Sequence, residues 1–174
     1  MNPEFYLNQQ KLLGSRRWYR RFWEFCGIYS VAIYFLPAVI FIIRPQGWKA
    51  VLLAGLAGLI ARYIACELVV LFYKKPHPYQ VLKFTPPWSR LFSFLDQRHD
   101  AFPSQHIAPA SAISAVMFLF SPAWGFIGVL CALFLSAGRI VLGYHDIWDV
   151  LGGWVMGILC ALAVVCFLAP LFLK

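Results

Sequence analysis

Residues 147–173 read IWDVLGGWVMGILCALAVVCFLAPLFL. One charged side chain, Asp149, stands near the start, and the rest is apolar. A spanning helix needs about twenty mostly apolar residues, and this run supplies them. It lacks the alternation of a barrel strand, and a helix satisfies its own backbone within a bilayer. Working back from it, three similar runs appear at about 123–142, 104–120 and 48–73, and a fourth at 22–43. The last is interrupted by Glu24 and Pro37, and the 48–73 run carries Arg62 and Glu67. Arg62 and Glu67, five apart, read as a helix-packing or boundary pair, and as an ionisable group inside a span Glu67 could also orient Lys74 or Lys75.

Composition agrees with a membrane class. Of 174 residues, 61% are hydrophobic, 18% aromatic and only 13% charged, with a mean hydropathy of +0.71. Soluble domains carry about twice that charge. The expected fold is an all-α integral membrane bundle, residues 1–174 forming one domain with about five spanning helices. Residues 1–21 mix aromatics with Lys11, Arg16, Arg17, Arg20 and Arg21, the pattern of an amphipathic interfacial helix. No cleavable signal peptide is expected in that polar, basic start. Residues 74–103 form a polar loop, within which Phe84–Leu95 reads as an interfacial helix. The net charge of +8 would suggest nucleic acid in a soluble chain. In a membrane chain it points to lipid headgroups, topology or an anionic substrate, so no nucleic-acid partner is expected. The five cysteines lie in apolar runs without a C-x-x-C pair and read as small hydrophobes.

Counting crossings places the N-terminus, the 74–103 loop and the 139–149 turn on one side. His77, His99, His106 and His145 all fall there, which points to one polar site at one membrane face. Three segments meet in it: KKPHPY (74–79), FPSQH (102–106) and GRIVLGYHDIWD (138–149). In the second, Ser104 is placed to cap the helix that follows, and a helix N-terminus favours an anion. In the third, His145 and Asp149 are four apart and share a helix face. An aspartate on one imidazole nitrogen makes the other a better nucleophile or base. The donor fork of Arg139 matches phosphate oxygens, and Lys74 and Lys75 add point charges. Arg139, Lys75, the Ser104 hydroxyl and backbone N–H groups near Gln105 can neutralise a phosphoryl group. His145 can attack it and His106 can supply a proton. No metal or other cofactor is expected. A zinc site from the histidines lacks ligands at zinc-type spacing.

These residues resemble the signature of the type 2 phosphatidic acid phosphatase superfamily, K-x6-R-P, P-S-G-H and S-R-x5-H-x3-D. The second motif reads Pro103-Ser104-Gln105-His106. The third reads Gly138-Arg139, then His145 and Asp149 at the family spacing. Gly138 stands where the family has serine, and Gln105 where it has glycine. The first motif lacks its lysine, and His77 or Lys75 occupies the arginine position. The resemblance implies a phosphohistidine on His145, support from Asp149 and a proton from His106. It implies phosphate held by Arg139, Ser104, Gln105, Lys75, His77 and Lys74. The short chain and the KPHPY form are most similar to the bacterial undecaprenyl-diphosphate phosphatase branch. That implies hydrolysis of a lipid diphosphate in a bacterial inner membrane, with the site at the periplasmic face. Phosphatases of phosphatidylglycerol phosphate, phosphatidate or lipid A share the same core. Outside enzymes, the basic face fits a scaffold that binds anionic lipid. Most Lys and Arg lie on the histidine side, which by the positive-inside rule points to the cytoplasm, against the resemblance.

Overall fold

A computed structural model describes residues 2–30, 39–40, 43, 47–86, 100–168 and 170. Among these there are seven helices and no strand. They are α1 (Pro3–Ser15), α2 (Arg17–Gly27), α3 (Gly47–Phe72), α4 (Pro78–Val81), α5 (Ile107–Phe120), α6 (Pro122–Val141) and α7 (Ile147–Phe167). The all-α membrane bundle expected from composition is present. Helices α3, α6 and α7 are long and apolar enough to cross a membrane. Helix α5 has 14 residues, a rise of about 21 Å, and is too short to cross alone. Of the predicted first span, residues 31–38 and 41–42 lie outside the described residues, and its start belongs to α2. Of the predicted interfacial helix Phe84–Leu95, only residues 84–86 are described.

Helix α5 sits inside the bundle. Ala108, Ala112 and Val116 pack against Ala50, Leu53, Ala54 and Ala57 of α3 and Ala161 and Val164 of α7. Alanine dominates this seam because in a bilayer close backbone approach, rather than bulk apolarity, holds helices together. On its other face, Ile107 and Ala110 meet Ala132 and Leu135 of α6 and Val150 of α7. The outward positions carry large apolar side chains, among them Phe72, Phe126, Phe134, Val155 and Phe167. Such a girdle suits lipid and not water.

The N-terminal residues form two helices. Asn2 caps α1, its Oδ1 accepting from the N–H groups of Glu4 (3.1 Å) and Phe5 (3.4 Å). The chain breaks at Arg16 and restarts as α2, which packs on α6. At that crossing Gly27 faces Gly138. A Cβ on Gly138 would lie 2.4 Å from the Gly27 nitrogen and 2.6 Å from its Cα. Trp18, Phe22 and Phe25 remain exposed on the outer side of α2.

The C-terminal end of α3, the N-terminal end of α5, the C-terminal end of α6 and the N-terminal end of α7 meet at one end of the bundle. Each of the three sequence segments is carried on one of these ends.

Candidate active site

The turn from α6 to α7 explains the spacing of its charges. Helix α6 ends in a Schellman motif. The Tyr144 N–H donates to the Arg139 carbonyl (3.0 Å) and the Gly143 N–H to the Ile140 carbonyl (3.0 Å). Gly143 takes φ +83°, the left-handed conformation the motif requires, and Phe84 fills the space where its side chain would be. The Arg139 carbonyl also accepts from the His145 N–H (3.3 Å), which folds the histidine back beside the arginine. One residue on, α7 begins with a reciprocal cap. Asp146 Oδ1 accepts from the N–H groups of Trp148 (3.0 Å) and Asp149 (3.2 Å), and Asp149 Oδ2 accepts from the Asp146 N–H (2.8 Å). A helix stop followed at once by a helix start fixes Arg139, His145 and Asp149 relative to one another.

All three are buried: Arg139 is 2% exposed, His145 4% and Asp149 0%. The Arg139 guanidinium lies over the Tyr144 ring, 4.6 Å from its centroid. His145 Nδ1 is 3.7 Å from Asp149 Oδ2, longer than a hydrogen bond, and Nδ1 makes none among the described residues. A histidine–carboxylate pair in an unliganded site is often this long. Burial lowers the His145 pKa, Asp149 opposes this, and the charges of His77 and Arg139 add to the lowering. The ring is therefore neutral at neutral pH, as a nucleophile requires.

Lys75 has partners its sequence reading does not include. Its Nζ donates to Asp146 Oδ2 (2.7 Å) and Asp149 Oδ1 (2.6 Å), so two of the three ammonium donors are held by carboxylates. Burial lowers its pKa, but the two carboxylates outweigh this and raise it, and it stays charged. Lys74 is exposed. His77 is buried, with Nδ1 2.5 Å from the Tyr144 carbonyl. That carbonyl can only accept, so Nδ1 carries the proton. The His77 ring stacks on Tyr79 and lies 5.2 Å from the His145 ring, centroid to centroid.

Ser104 does not cap α5. The helix starts at Ile107 with His106 as its N-cap. The Ser104 N–H donates to the Asp149 carbonyl (3.0 Å) and its carbonyl accepts from Ala108 (3.0 Å). Its hydroxyl is fully buried and makes no hydrogen bond among the described residues. A buried hydroxyl without a partner is costly and is a ready ligand for phosphate oxygen. His106 has its pKa held well below the usual imidazole value. Burial is the main cause, followed by the positive charges of Arg139 and Arg62 and by His145 and His77 whenever those are protonated. Among the described residues no three His, Cys, Asp or Glu side chains form a group that could hold a metal ion.

Three contributors were not assigned to the site from sequence. Arg62 Nη1 donates to the Gln105 carbonyl (2.7 Å), and Glu67 Oε1 accepts from Gln105 Nε2 (3.0 Å). Ionisable groups inside a span were the signal for these two. Tyr6 of α1 is buried and its hydroxyl donates to the His145 carbonyl (3.1 Å), a contact no local pattern announces. Beside Lys75 and Asp146 opens a cleft of about 480 Å³, walled by Tyr73, Phe102 and Trp148.

The PAP2 superfamily pattern matches residues 48–172, which takes in all three segments. The chain belongs to the PAP2 superfamily. Two curated proteins are similar to it. One is the undecaprenyl-diphosphatase BcrC of Bacillus subtilis, 32% identical over 117 residues, 67% of this chain and 56% of that protein. The other is an undecaprenyl-diphosphatase of Sulfolobus acidocaldarius, 29% identical over 105 residues, 55% of this chain and 51% of that protein. The chain spans about half the length of the curated relatives it matches. Its glycine in place of the PAP2 serine, Gly138, has a steric reason in the α2–α6 crossing. A side chain there would enter the Gly27 backbone.

Proposed function

We propose that this protein is a metal-independent membrane lipid phosphatase that removes the terminal phosphate of a lipid diphosphate, undecaprenyl diphosphate foremost. The observation that carries the reading is the α6–α7 turn. It sets a neutral, buried imidazole between a buried guanidinium and a buried carboxylate, with the unpartnered Ser104 hydroxyl in the adjoining segment. Binding anionic lipid alone needs cations and not this arrangement, so an enzyme is favoured over a scaffold. The similarity to two undecaprenyl-diphosphatases supports a lipid diphosphate as substrate.

The terminal phosphoryl group rests on the Arg139 guanidinium and the Ser104 hydroxyl, with His77 beside it. His145 Nε2 attacks phosphorus while the bond to the bridging oxygen breaks, and His106 gives that oxygen a proton. Asp149 takes up the charge that develops on the imidazole through Nδ1–H. Water then attacks the phosphohistidine, the P–N bond breaks, and the water proton passes to His106. Inorganic phosphate leaves and both histidines return to their starting state. Lys75 and Asp146 act behind this centre by fixing Asp149. The aromatic cleft at Tyr73, Phe102 and Trp148 offers an apolar approach for the lipid chain. By resemblance the protein sits in a bacterial inner membrane with the site on the periplasmic face.

The test is phosphate release by the purified protein from undecaprenyl diphosphate, phosphatidylglycerol phosphate, phosphatidate and lipid A, with and without EDTA. Release from the diphosphate, unaffected by chelator and abolished by His145→Ala, is expected. Near-normal turnover in that variant would sink the mechanism, and no release from any of the four would sink the enzyme.

A further inference from the structure

We propose that Arg62 and Glu67 of α3 are positioning residues for the reaction. Together they clamp the Ser104–Gln105–His106 turn through both polar ends of Gln105, and so hold His106 in place to protonate the leaving group. The inference rests on the phosphatase reading above.

On a regular helix, residues five apart point about 140° from each other. Arg62 and Glu67 nonetheless reach the same residue. The reason is the π-helical turn at Ala61–Ala65, where the Cys66 N–H bonds to the Ala61 carbonyl, five residues back. A π turn brings i and i+5 to one face, and such turns recur at functional sites. From that face Arg62 takes the Gln105 backbone carbonyl at 2.7 Å and Glu67 takes the Gln105 side-chain amide at 3.0 Å. Across the turn, α7 holds the preceding residue through the Ser104 N–H and the Asp149 carbonyl. The turn is thus pinned from α3 on one side and α7 on the other, with His106 immediately beyond Gln105. A glycine at 105 would give Glu67 nothing to hold. An arginine and a glutamate within a span are expensive, so a pair aimed at a single residue of the site calls for more than packing. The charge of Arg62 also bears on His106, among the causes that lower its pKa.

Leaving-group dependence separates this from a structural role. A general acid matters most when the leaving oxygen is a poor one, so phenyl phosphate depends on His106 more than p-nitrophenyl phosphate does. In detergent-purified full chain, His106→Ala sets the reference pattern. Glu67→Ala and Gln105→Ala should lower kcat on phenyl phosphate by about 10–100-fold, with KM near wild type and p-nitrophenyl phosphate turnover much less affected. The double variant Glu67→Ala/Gln105→Ala should be no worse than either single one, and neither change should add to His106→Ala. Glu67→Gln keeps an acceptor oxygen and should restore most of the rate. Gln105→Ala leaves the charges of α3 untouched and carries the test if Glu67→Ala does not fold. Equal losses on both substrates, additive effects, or a loss confined to KM would overturn the proposal. His145→Ala tells the two readings apart. If it stays active the phosphatase mechanism fails and this inference with it. If it is dead while the Glu67 and Gln105 variants show no leaving-group selectivity, only this inference fails.

Discussion

His145 is buried and His106 half-buried, both imidazoles are held below their usual pKa, and the proposed mechanism asks opposite things of them. As the proposed nucleophile, His145 must be neutral, and its environment favours that form. As the proposed acid, His106 must be charged. In the free protein, burial and the charges of Arg139 and Arg62 disfavour that form. A bound phosphoryl group brings negative charge and raises the pKa again. The activity that requires charged His106 is lost as pH rises through its pKa. The alkaline limb of kcat/KM, which reports the free protein, should therefore lie at lower pH than that of kcat. Coincident limbs in the two profiles would contradict this. Lys75 makes a second residue-scale prediction. Lys75→Met leaves the Asp146 and Asp149 carboxylates without their cation. Breaking a buried pair costs about 3–5 kcal/mol, and the low end applies because the Lys75 side chain is 22% exposed. A lower melting temperature in detergent together with lower kcat is expected. If Lys75 chiefly held phosphate, KM would move and stability would not.

At the scale of elements, the site is made by helix ends, and their caps set the spacing. R-x5-H-x3-D is a Schellman stop followed by a reciprocal start, which is why the pattern was legible in sequence. The cap at Ser104 was misread because a serine before an apolar run looks the same whether its hydroxyl faces a backbone or a ligand. Only the geometry, with His106 at the cap, distinguishes them. The α2–α6 crossing is the second element-scale feature. Gly138→Ser would restore the residue the family pattern carries, yet its side chain would meet the Gly27 backbone. Overpacking of this kind costs about 1–3 kcal/mol. A drop in melting temperature with no gain in activity is the expected outcome. An unchanged melting temperature would mean that α2 does not sit on α6 in this way.

At the scale of the whole molecule, two signals bear on which face carries the site. The described helix ends place the three sequence segments together, and the charge bias and the family resemblance assign that end to opposite sides. A cysteine at exposed Thr85, in a background without the native cysteines, would be reached by an impermeant thiol reagent in intact cells if the site is periplasmic. Protection until the cells are opened would place it in the cytoplasm. The N-terminal helices also act at this scale. Tyr6 ties α1 to the carbonyl of His145, so the basic start of the chain is built into the site and does more than meet the membrane surface.

The sequence by itself determined the helical membrane class, because long apolar runs have one spanning form. It also determined the Arg139, His145 and Asp149 constellation, because contacts within a turn follow from spacing. What only the tertiary structure decided involves residues far apart in the chain. It gave Lys75 to two carboxylates, let Arg62 and Glu67 converge on Gln105 through a π turn, left the Ser104 hydroxyl without a partner, and showed why residue 138 is glycine. Each depends on how closely two helices approach and which side chains then share a target. Neither composition nor periodicity encodes that distance.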